Sequence, residues 1–209
     1  METKKFIISI VFIFLLISVR IFFPITDVFQ KVVAFLSFFV VIPILFNSLI
    51  LKRKFDDIGL QFGDWKKGLI WSGTSTALIG IIFGIFIYFF GFYEKYLIPA
   101  SIVNSYKDFI LYSITTTLFF VVIYDLFFRG FLMGILQLKI GFWAVVVQAV
   151  VFIALAIFAG SVIWTLVPYM IFSLFAGIIV YKSRSIIYSS IMQFIILFLL
   201  NAGMIYTLK

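Results

Sequence analysis

Two ionisable residues stand four positions apart in an apolar stretch of the sequence, residues 123–130. Of the eight acidic residues in the chain, only Asp125 lies well inside an apolar run, and Arg129 follows it. Side chains four residues apart share one face of a helix, so these two charges can form an ion pair. Ionisable groups inside a membrane are costly and mark candidate functional sites.

Two interpretations of this pair stay open. A carboxylate within a span can serve as a proton or cation site, or as the base of a hydrolase. Alternatively, the pair is a salt bridge at the edge of the membrane, with Arg129 extended to the cytoplasmic headgroups. In that second case a change of Asp125 would cost little stability, whereas a change of Arg129 would strand the carboxylate and cost more.

The residue types exclude several other chemistries. The sequence has no cysteine and no histidine, which excludes disulfides, thiolate metal sites and a histidine base. A serine protease would lack its base, and an aspartyl protease would need two carboxylates that share a proton, whereas the spans hold one. We therefore expect no metal, no cofactor and no proteolysis by these routes.

These residues must be positioned by membrane-spanning helices. Hydrophobic residues make up 65% of the 209 residues and charged residues 11%, whereas about a quarter of a soluble domain is charged. The apolar runs are near the ~20 residues that cross a bilayer. They predict an all-α, polytopic transmembrane helix bundle of roughly seven spans, with residues 1–209 as a single membrane domain. The predicted spans are Phe6–Phe23, Val32–Leu51, Gly68–Phe92, Phe109–Phe128, Phe142–Ala159, Ile163–Tyr181 and Ile186–Tyr206.

The basic residues predict the orientation of the bundle. With the N-terminus in the cytoplasm, eleven of the 16 Lys and Arg residues fall in cytoplasmic segments and four in outer segments, in agreement with the positive-inside rule. The C-terminus is then extracytoplasmic, and the first run is a retained signal anchor. The net charge of +8 is scattered over short loops, which favours membrane lipid over nucleic acid as a partner.

The connections between the spans carry further expectations. Residues 159–163 and residues 182–185 are expected to form tight turns between antiparallel helices. The loop Lys52–Lys67 is expected to lie along the headgroups as a short amphipathic or irregular segment, and Tyr93–Asp108 to form an irregular outer loop. The segment Phe131–Lys139 is too short to cross the membrane, so it is a candidate re-entrant or interfacial piece.

Other polar residues within the spans have two interpretations each. Gln148, Gln193 and Asn201 could line a cavity, although single amides in spans more often bond neighbouring helices. Arg20 could pair with Asp27 or extend to the outer interface.

Residues 124–130 resemble the first motif of the CPBP family, the CAAX-prenyl-protease and bacteriocin-processing membrane proteins also called the Abi family. That motif reads Glu-Glu-x-x-Phe-Arg-Gly. Phe128, Arg129 and Gly130 match it, whereas Tyr124 and Asp125 stand at the two glutamate positions. In the family the first glutamate activates the water, so the resemblance places Tyr124 at the catalytic position.

Two further regions resemble the family in order and spacing. The second motif is Phe-x-x-x-His, and Phe152 matches its phenylalanine while Ala156 stands where the histidine is expected. In the third region Gln193 falls at the position of a histidine. In the family an Asn or Asp follows this histidine. Four residues after Gln193 this chain has Leu197, and Asn201 lies one turn further.

The resemblance covers about 60–201, most strongly 109–201, and implies a CPBP-like core without the family's catalytic set. It implies a pseudoprotease that acts as a scaffold or regulator. Its partner would be a membrane or membrane-anchored protein, such as a cell-envelope enzyme, or it would be a bacteriocin immunity factor. The possible partner-binding residues are Tyr124, Asp125, Gln193 and Asn201.

Two alternatives remain beside this hypothesis. One is a small transporter or channel subunit that uses Asp125, and the other is a residual intramembrane protease in which Asp125 replaces the glutamate. A composition rich in Lys, Ile and Phe is typical of AT-rich bacterial genomes, so we expect a bacterial plasma membrane as the location.

Overall fold

The computed structural model describes residues 2–96, 98–103, 105–158 and 163–208, except for the side chains of residues 101, 163 and 208. Their architecture is all-helical, without a strand in these ranges. The long helices are α1 (Thr3–Phe22), α2 (Val28–Ile50), α3 (Trp65–Phe90), α4 (Tyr106–Ile140), α5 (Trp143–Phe158), α6 (Ile163–Ser183) and α7 (Ile186–Leu208).

Six of these helices, all except α5, are long and apolar enough to cross a membrane. At 1.5 Å per residue, the 16 residues of α5 extend about 24 Å, short of the ~30 Å of hydrocarbon. The predicted all-α transmembrane bundle is therefore confirmed, with a short fifth helix. The predicted turn at 159–163 falls mostly on residues 159–162, which lie outside the described residues.

Local sequence signals explain where several helices begin and end. Asp27, Asp64 and Ser105 precede α2, α3 and α4, and each side chain accepts a hydrogen bond from the backbone N–H three residues on. Such caps satisfy N–H groups that have no partner within the helix. Gly91 ends α3 in the left-handed conformation, φ 58°, which glycine adopts without steric cost.

Helix α4 continues past residue 128, where the sequence predicted that the span ends. It runs without a break for 35 residues from Tyr106 to Ile140, so Phe131–Lys139 continues this helix and is not a separate piece of chain. The helix has π-type turns at Ser113–Thr117 and Asp125–Leu132, and all eight residues of the second turn are buried. A segment buried on every side is a core helix. The charge and glycine at the expected end of the span do not stop it, because the rest of the protein covers them.

The core has two parts that meet along α4. Apolar residues of α1, α2, α4 and α5 form one cluster. The other cluster joins α3, α6 and α7 with Phe92 and Tyr96 of the connection between α3 and α4. α6 packs against α3, α5 and α7.

The segment between α2 and α3 packs against the ends of α4, α6 and α7. Gly59 O accepts a hydrogen bond from the N–H of Ile186 (3.0 Å), and the N–H of Asp64 donates to Ser183 O (2.8 Å). The segment is irregular apart from one helical turn, Phe55–Ile58, as expected from the sequence. It closes the end of the bundle at which the turn between α6 and α7 lies.

The predicted orientation can be tested with single cysteines, because the sequence contains none. Lys54 lies in the connection between α2 and α3 and Lys107 in the first turn of α4; both are exposed, and they are predicted to lie on opposite sides of the membrane. With the N-terminus inside, a membrane-impermeant maleimide added to intact cells labels Lys107→Cys and leaves Lys54→Cys unlabelled until the cells are opened. The reverse pattern would contradict the orientation drawn from the basic residues.

Candidate functional site

Asp125 is the centre of a buried polar cluster between α4 and α7. Its Oδ2 accepts hydrogen bonds from Ser189 Oγ (2.6 Å) and Ser190 Oγ (2.7 Å). Gln193 Nε2 lies 2.9 Å from both carboxylate oxygens. All four side chains are buried. The cluster therefore joins the middle of α4 to the first two turns of α7.

Arg129 completes the cluster with an ion pair. Its Nη1 lies 3.3 Å from Asp125 Oδ1, and the guanidinium lies over the ring of Phe152 on α5, 5.3 Å from the ring centroid. Arg129 is only 2% exposed, so it does not extend to the headgroups as the membrane-edge interpretation expected. The physical reason is that the segment before α3 and the turn before α7 cover this end of the bundle, and they enclose the pair within protein.

The donors around Asp125 limit what this carboxylate can do. An ionised carboxylate has about four lone-pair positions, and two hydroxyls, an amide and a guanidinium already occupy both of its oxygens. All of these partners direct a hydrogen-bond donor at the carboxylate in this arrangement. A general base needs a water within hydrogen-bond reach, and the Asp125 carboxylate is fully buried. The geometry therefore supports a structural role for the cluster.

A cavity of about 800 Å³ lies at the other end of the bundle. Residues at the end of α1, the start of α2, the first half of α4, the end of α5 and the start of α6 line it. Tyr124, Phe152 and Ala156 are among them. Phe152 also contacts Arg129, and its ring packs edge-on against Tyr124 at 5.5 Å. This phenylalanine therefore separates the cavity from the ion pair.

Consecutive residues on α4 thus face different surroundings. Successive helical side chains are about 100° apart around the axis, so Tyr124 faces the cavity while Asp125 faces α7. Of the residues singled out by the resemblance, Asp125, Arg129 and Gln193 meet in the buried cluster. Tyr124 and Ala156 meet on the cavity wall, together with Phe152.

Two other amides bond neighbouring elements, as expected of amides in spans. Gln148 Nε2 on α5 donates to Ser173 O on α6 (2.7 Å). Asn201 Oδ1 accepts from the Tyr96 hydroxyl (3.1 Å). Burial raises the pKa of Tyr96 to about 12, which keeps this hydroxyl protonated as a donor. Asn201 lies about 12 Å along α7 from Gln193, so the structure does not bring it into the Asp125 cluster.

Arg20 does not form the ion pair with Asp27 that was one expectation from the sequence. Asp27 Oδ1 accepts from the backbone of α2 at 2.8 Å, and the described residues show no ion pair of Arg20. The Arg20 guanidinium instead lies over the Phe35 ring, 4.6 Å from its centroid, and Arg20 lines the cavity.

The contacts of Ser189 and Ser190 with Asp125 were not predicted from the sequence. The available signal was their position: both hydroxyls precede Gln193 by one turn or less, on the helix where the resemblance expected a polar residue. Serine is common in membrane helices as a small packing residue, so its type alone gave no indication of a contact with Asp125.

Residues 106–199 match the model of the Rce1-like family, described as type II CAAX prenyl endopeptidase Rce1-like. These residues are an Rce1-like region. The resemblance to the CPBP family is thereby confirmed, and the matched residues include the whole Asp125 cluster together with Tyr124, Phe152 and Ala156. Searches of the curated proteins and of the solved structures gave no match.

The geometry of the Asp125 cluster predicts that a change of Asp125 costs more stability than a change of Arg129. This order is the reverse of the one expected from the sequence. Asp125→Asn leaves Arg129 buried without a carboxylate and should cost about 3–5 kcal/mol. Arg129→Met keeps most of the side-chain volume and leaves Asp125 its three other donors, so it should cost less, about 1.5–3 kcal/mol. Thermal unfolding in a mild detergent measures both. Lys139→Met, at an exposed position of the same helix, is the control and should unfold like the wild type. A larger loss for Arg129→Met would contradict this account of the cluster.

Gly130 and Gly134 offer a matched pair on α4. A Cβ on Gly130 would overlap the backbone carbonyl oxygen of Ile58, whereas one on Gly134 would lie 3.4 Å from Asp57 O, an ordinary contact. We expect Gly130→Ala to displace the segment before α3 and to speed its cleavage by trypsin within Lys52–Lys67. Gly134→Ala should be cleaved at the wild-type rate or more slowly, since alanine favours the helix. Equal rates for the two variants would show that the segment does not rest on Gly130.

Proposed function

We propose that this protein is a non-proteolytic CPBP-like membrane protein, a pseudoprotease that binds a membrane or membrane-anchored partner as a scaffold or regulator. The observation that carries the proposal is the state of Asp125. The carboxylate is buried and receives hydrogen bonds on both oxygens. The positions aligned with the family's catalytic Glu and His hold Tyr124 and Ala156, which cannot act as a carboxylate base and an imidazole.

The surroundings of the cavity support the same proposal. Its described lining includes aromatic, aliphatic and hydroxyl side chains and two cations, without a carboxylate. Hydrolysis of a peptide requires a group that removes a proton from water and donors that stabilise the oxyanion. The tyrosine at position 124 packs among phenylalanines, including Phe152 at 5.5 Å and Phe35 at 6.0 Å.

The size of the cavity indicates where a partner helix would bind. A 20-residue helix, about 30 Å long and about 10 Å across, fills on the order of 2,000 Å³, more than the roughly 800 Å³ available. A transmembrane helix would therefore dock on the lateral surface beside the cavity. Phe158 on α5 lines the cavity and is 73% exposed. Close packing and a few hydrogen bonds would stabilise such docking in lipid.

Of the four residues predicted to bind a partner, Tyr124 fits this arrangement best. Asp125 and Gln193 are buried against each other, and Asn201 is buried against Tyr96. A partner could contact those three only if the helices separated. The partner class remains the one implied by the resemblance, a cell-envelope enzyme or a peptide toxin whose activity the protein controls.

The two alternative functions have less support in this geometry. A transporter that uses Asp125 would need a water-filled path to the carboxylate, and Asp125 is not among the residues that line the cavity. A residual protease would need the same access for its water and substrate. A carboxylate that already accepts hydrogen bonds on both oxygens favours neither alternative.

Photo-cross-linking from two matched positions tests the scaffold proposal. Phe158 and Phe89 are both exposed, 73% and 70%, but only Phe158 adjoins the cavity. Benzoylphenylalanine placed at Phe158 in native membranes should capture one stoichiometric protein, identified by mass spectrometry, whereas the same group at Phe89 should not. The captured protein should also co-purify with the wild type in mild detergent. Equal capture from both positions, or capture of lipid alone at Phe158, would contradict the scaffold proposal.

A further inference from the structure

The cavity combines apolar walls with an excess of positive charge. Arg20 on α1 and Lys31 on α2 line it together with aromatic residues such as Phe120 and Tyr124, and its described lining contains no acidic residue. Both cations belong to the ends of α1 and α2 that meet at the same end of the bundle. A ligand of this cavity would therefore have an apolar part and a negatively charged part.

Arg20 is held in place without a protein anion. Its guanidinium lies over the Phe35 ring at 4.6 Å, and its Nε is buried and has no hydrogen-bond partner. The nearest acidic residue in the sequence, Asp27, uses its carboxylate to cap α2. A buried guanidinium donor without a partner is costly, and an oxyanion in the cavity would satisfy it. Phosphate suits this role, because guanidinium binds phosphate oxygens with charge-assisted hydrogen bonds.

The volume and the position of the cavity favour a lipid-like molecule. Small-molecule sites have volumes of about 300–1,000 Å³, and the roughly 800 Å³ here lies in that range, whereas a transmembrane helix does not fit. Ile21, Phe23 and Phe158 line the cavity and are exposed on the outer surface of the bundle. An acyl or alkyl chain can therefore enter from the surrounding lipid.

We infer that this cavity binds a single amphiphile with a phosphate headgroup, in which Arg20 and Lys31 contact the phosphate and the apolar chain lies against Phe120, Tyr124 and Phe152. This site is independent of the scaffold function, because it needs no protein partner. A membrane phospholipid and a phosphorylated lipid intermediate share this chemistry.

Dodecyl phosphate is a suitable probe for native mass spectrometry of the purified protein in a non-ionic detergent. We expect one saturable adduct, and no saturable adduct with dodecanol, which has the same chain without the charge. Arg20→Gln should weaken binding by about tenfold or more, because a charge-assisted hydrogen bond to phosphate is lost. Lys107→Gln removes a positive charge from the first turn of α4, at the same end of the bundle, and Lys107 does not line the cavity, so this variant should bind like the wild type.

A second variant locates the site. Ala156→Phe places a ring in the cavity and should abolish the adduct while the melting temperature without ligand stays near the wild-type value. Equal affinities of Arg20→Gln and Lys107→Gln would overturn the inference, because binding would then depend on surface charge alone. An adduct that persists in Ala156→Phe would place the ligand elsewhere and also overturn it.

Native membranes distinguish the possible sources of the ligand. A photo-reactive residue at Phe120 should cross-link to lipid, and the mass of the product separates a membrane phospholipid from a phosphorylated lipid intermediate. Capture of a polypeptide at Phe120 would overturn the inference and assign the cavity to the protein partner. Lipid capture at Phe120 with no protein capture at Phe158 would support the lipid site and refute the scaffold function.

Discussion

A carboxylate enclosed within a membrane protein must be surrounded by donors, and Asp125 obtains them from two helices. Ser189, Ser190 and Gln193 on α7 and Arg129 on α4 each contact one or both of its oxygens. Losing water around a charge costs several kcal/mol, and hydrogen bonds of this kind offset that cost only when the geometry is complete. The requirement therefore fixes the rotation of α4 about its axis and the position of the first turns of α7. The start of α7 adds a favourable partial positive charge near the carboxylate.

The orientation of α4 in turn determines what the cavity contains. With Asp125 directed at α7, its neighbour Tyr124 is directed into the cavity, and Phe152 lies between the cavity and Arg129. Gly130 lets the carbonyl of Ile58 approach α4, so the segment before α3 covers the charged end. The Phe-Arg-Gly part of the motif is thus explained by packing and charge neutralisation. Tyr124 and Ala156 lie on the wall of the cavity beside Phe152.

The sequence predicted those features that depend on local pattern. Apolar runs gave the spans, and the spacing of Asp125 and Arg129 gave the ion pair, since both signals lie within one helix. The motif order also located Tyr124, Ala156 and Gln193 on helices that meet. Features that depend on tertiary contacts were not predicted. Arg129 is buried because a segment distant in sequence folds over it. The hydroxyls of Ser189 and Ser190 donate hydrogen bonds to Asp125 from another helix. The continuation of α4 was not predicted for the same reason. A charged residue followed by glycine is typical of the end of a span, and only the tertiary structure shows that other segments cover these residues.

We propose that the Asp125 cluster holds the bundle together and takes no part in catalysis. The most direct test of this proposal is the cleavage of a fluorogenic, prenylated CAAX peptide by the wild-type protein and by Asp125→Asn, both in proteoliposomes. We expect no cleavage by either protein above that of empty liposomes. Cleavage by the wild type that disappears in a folded Asp125→Asn variant would contradict the proposal and would make this carboxylate the base of an active protease.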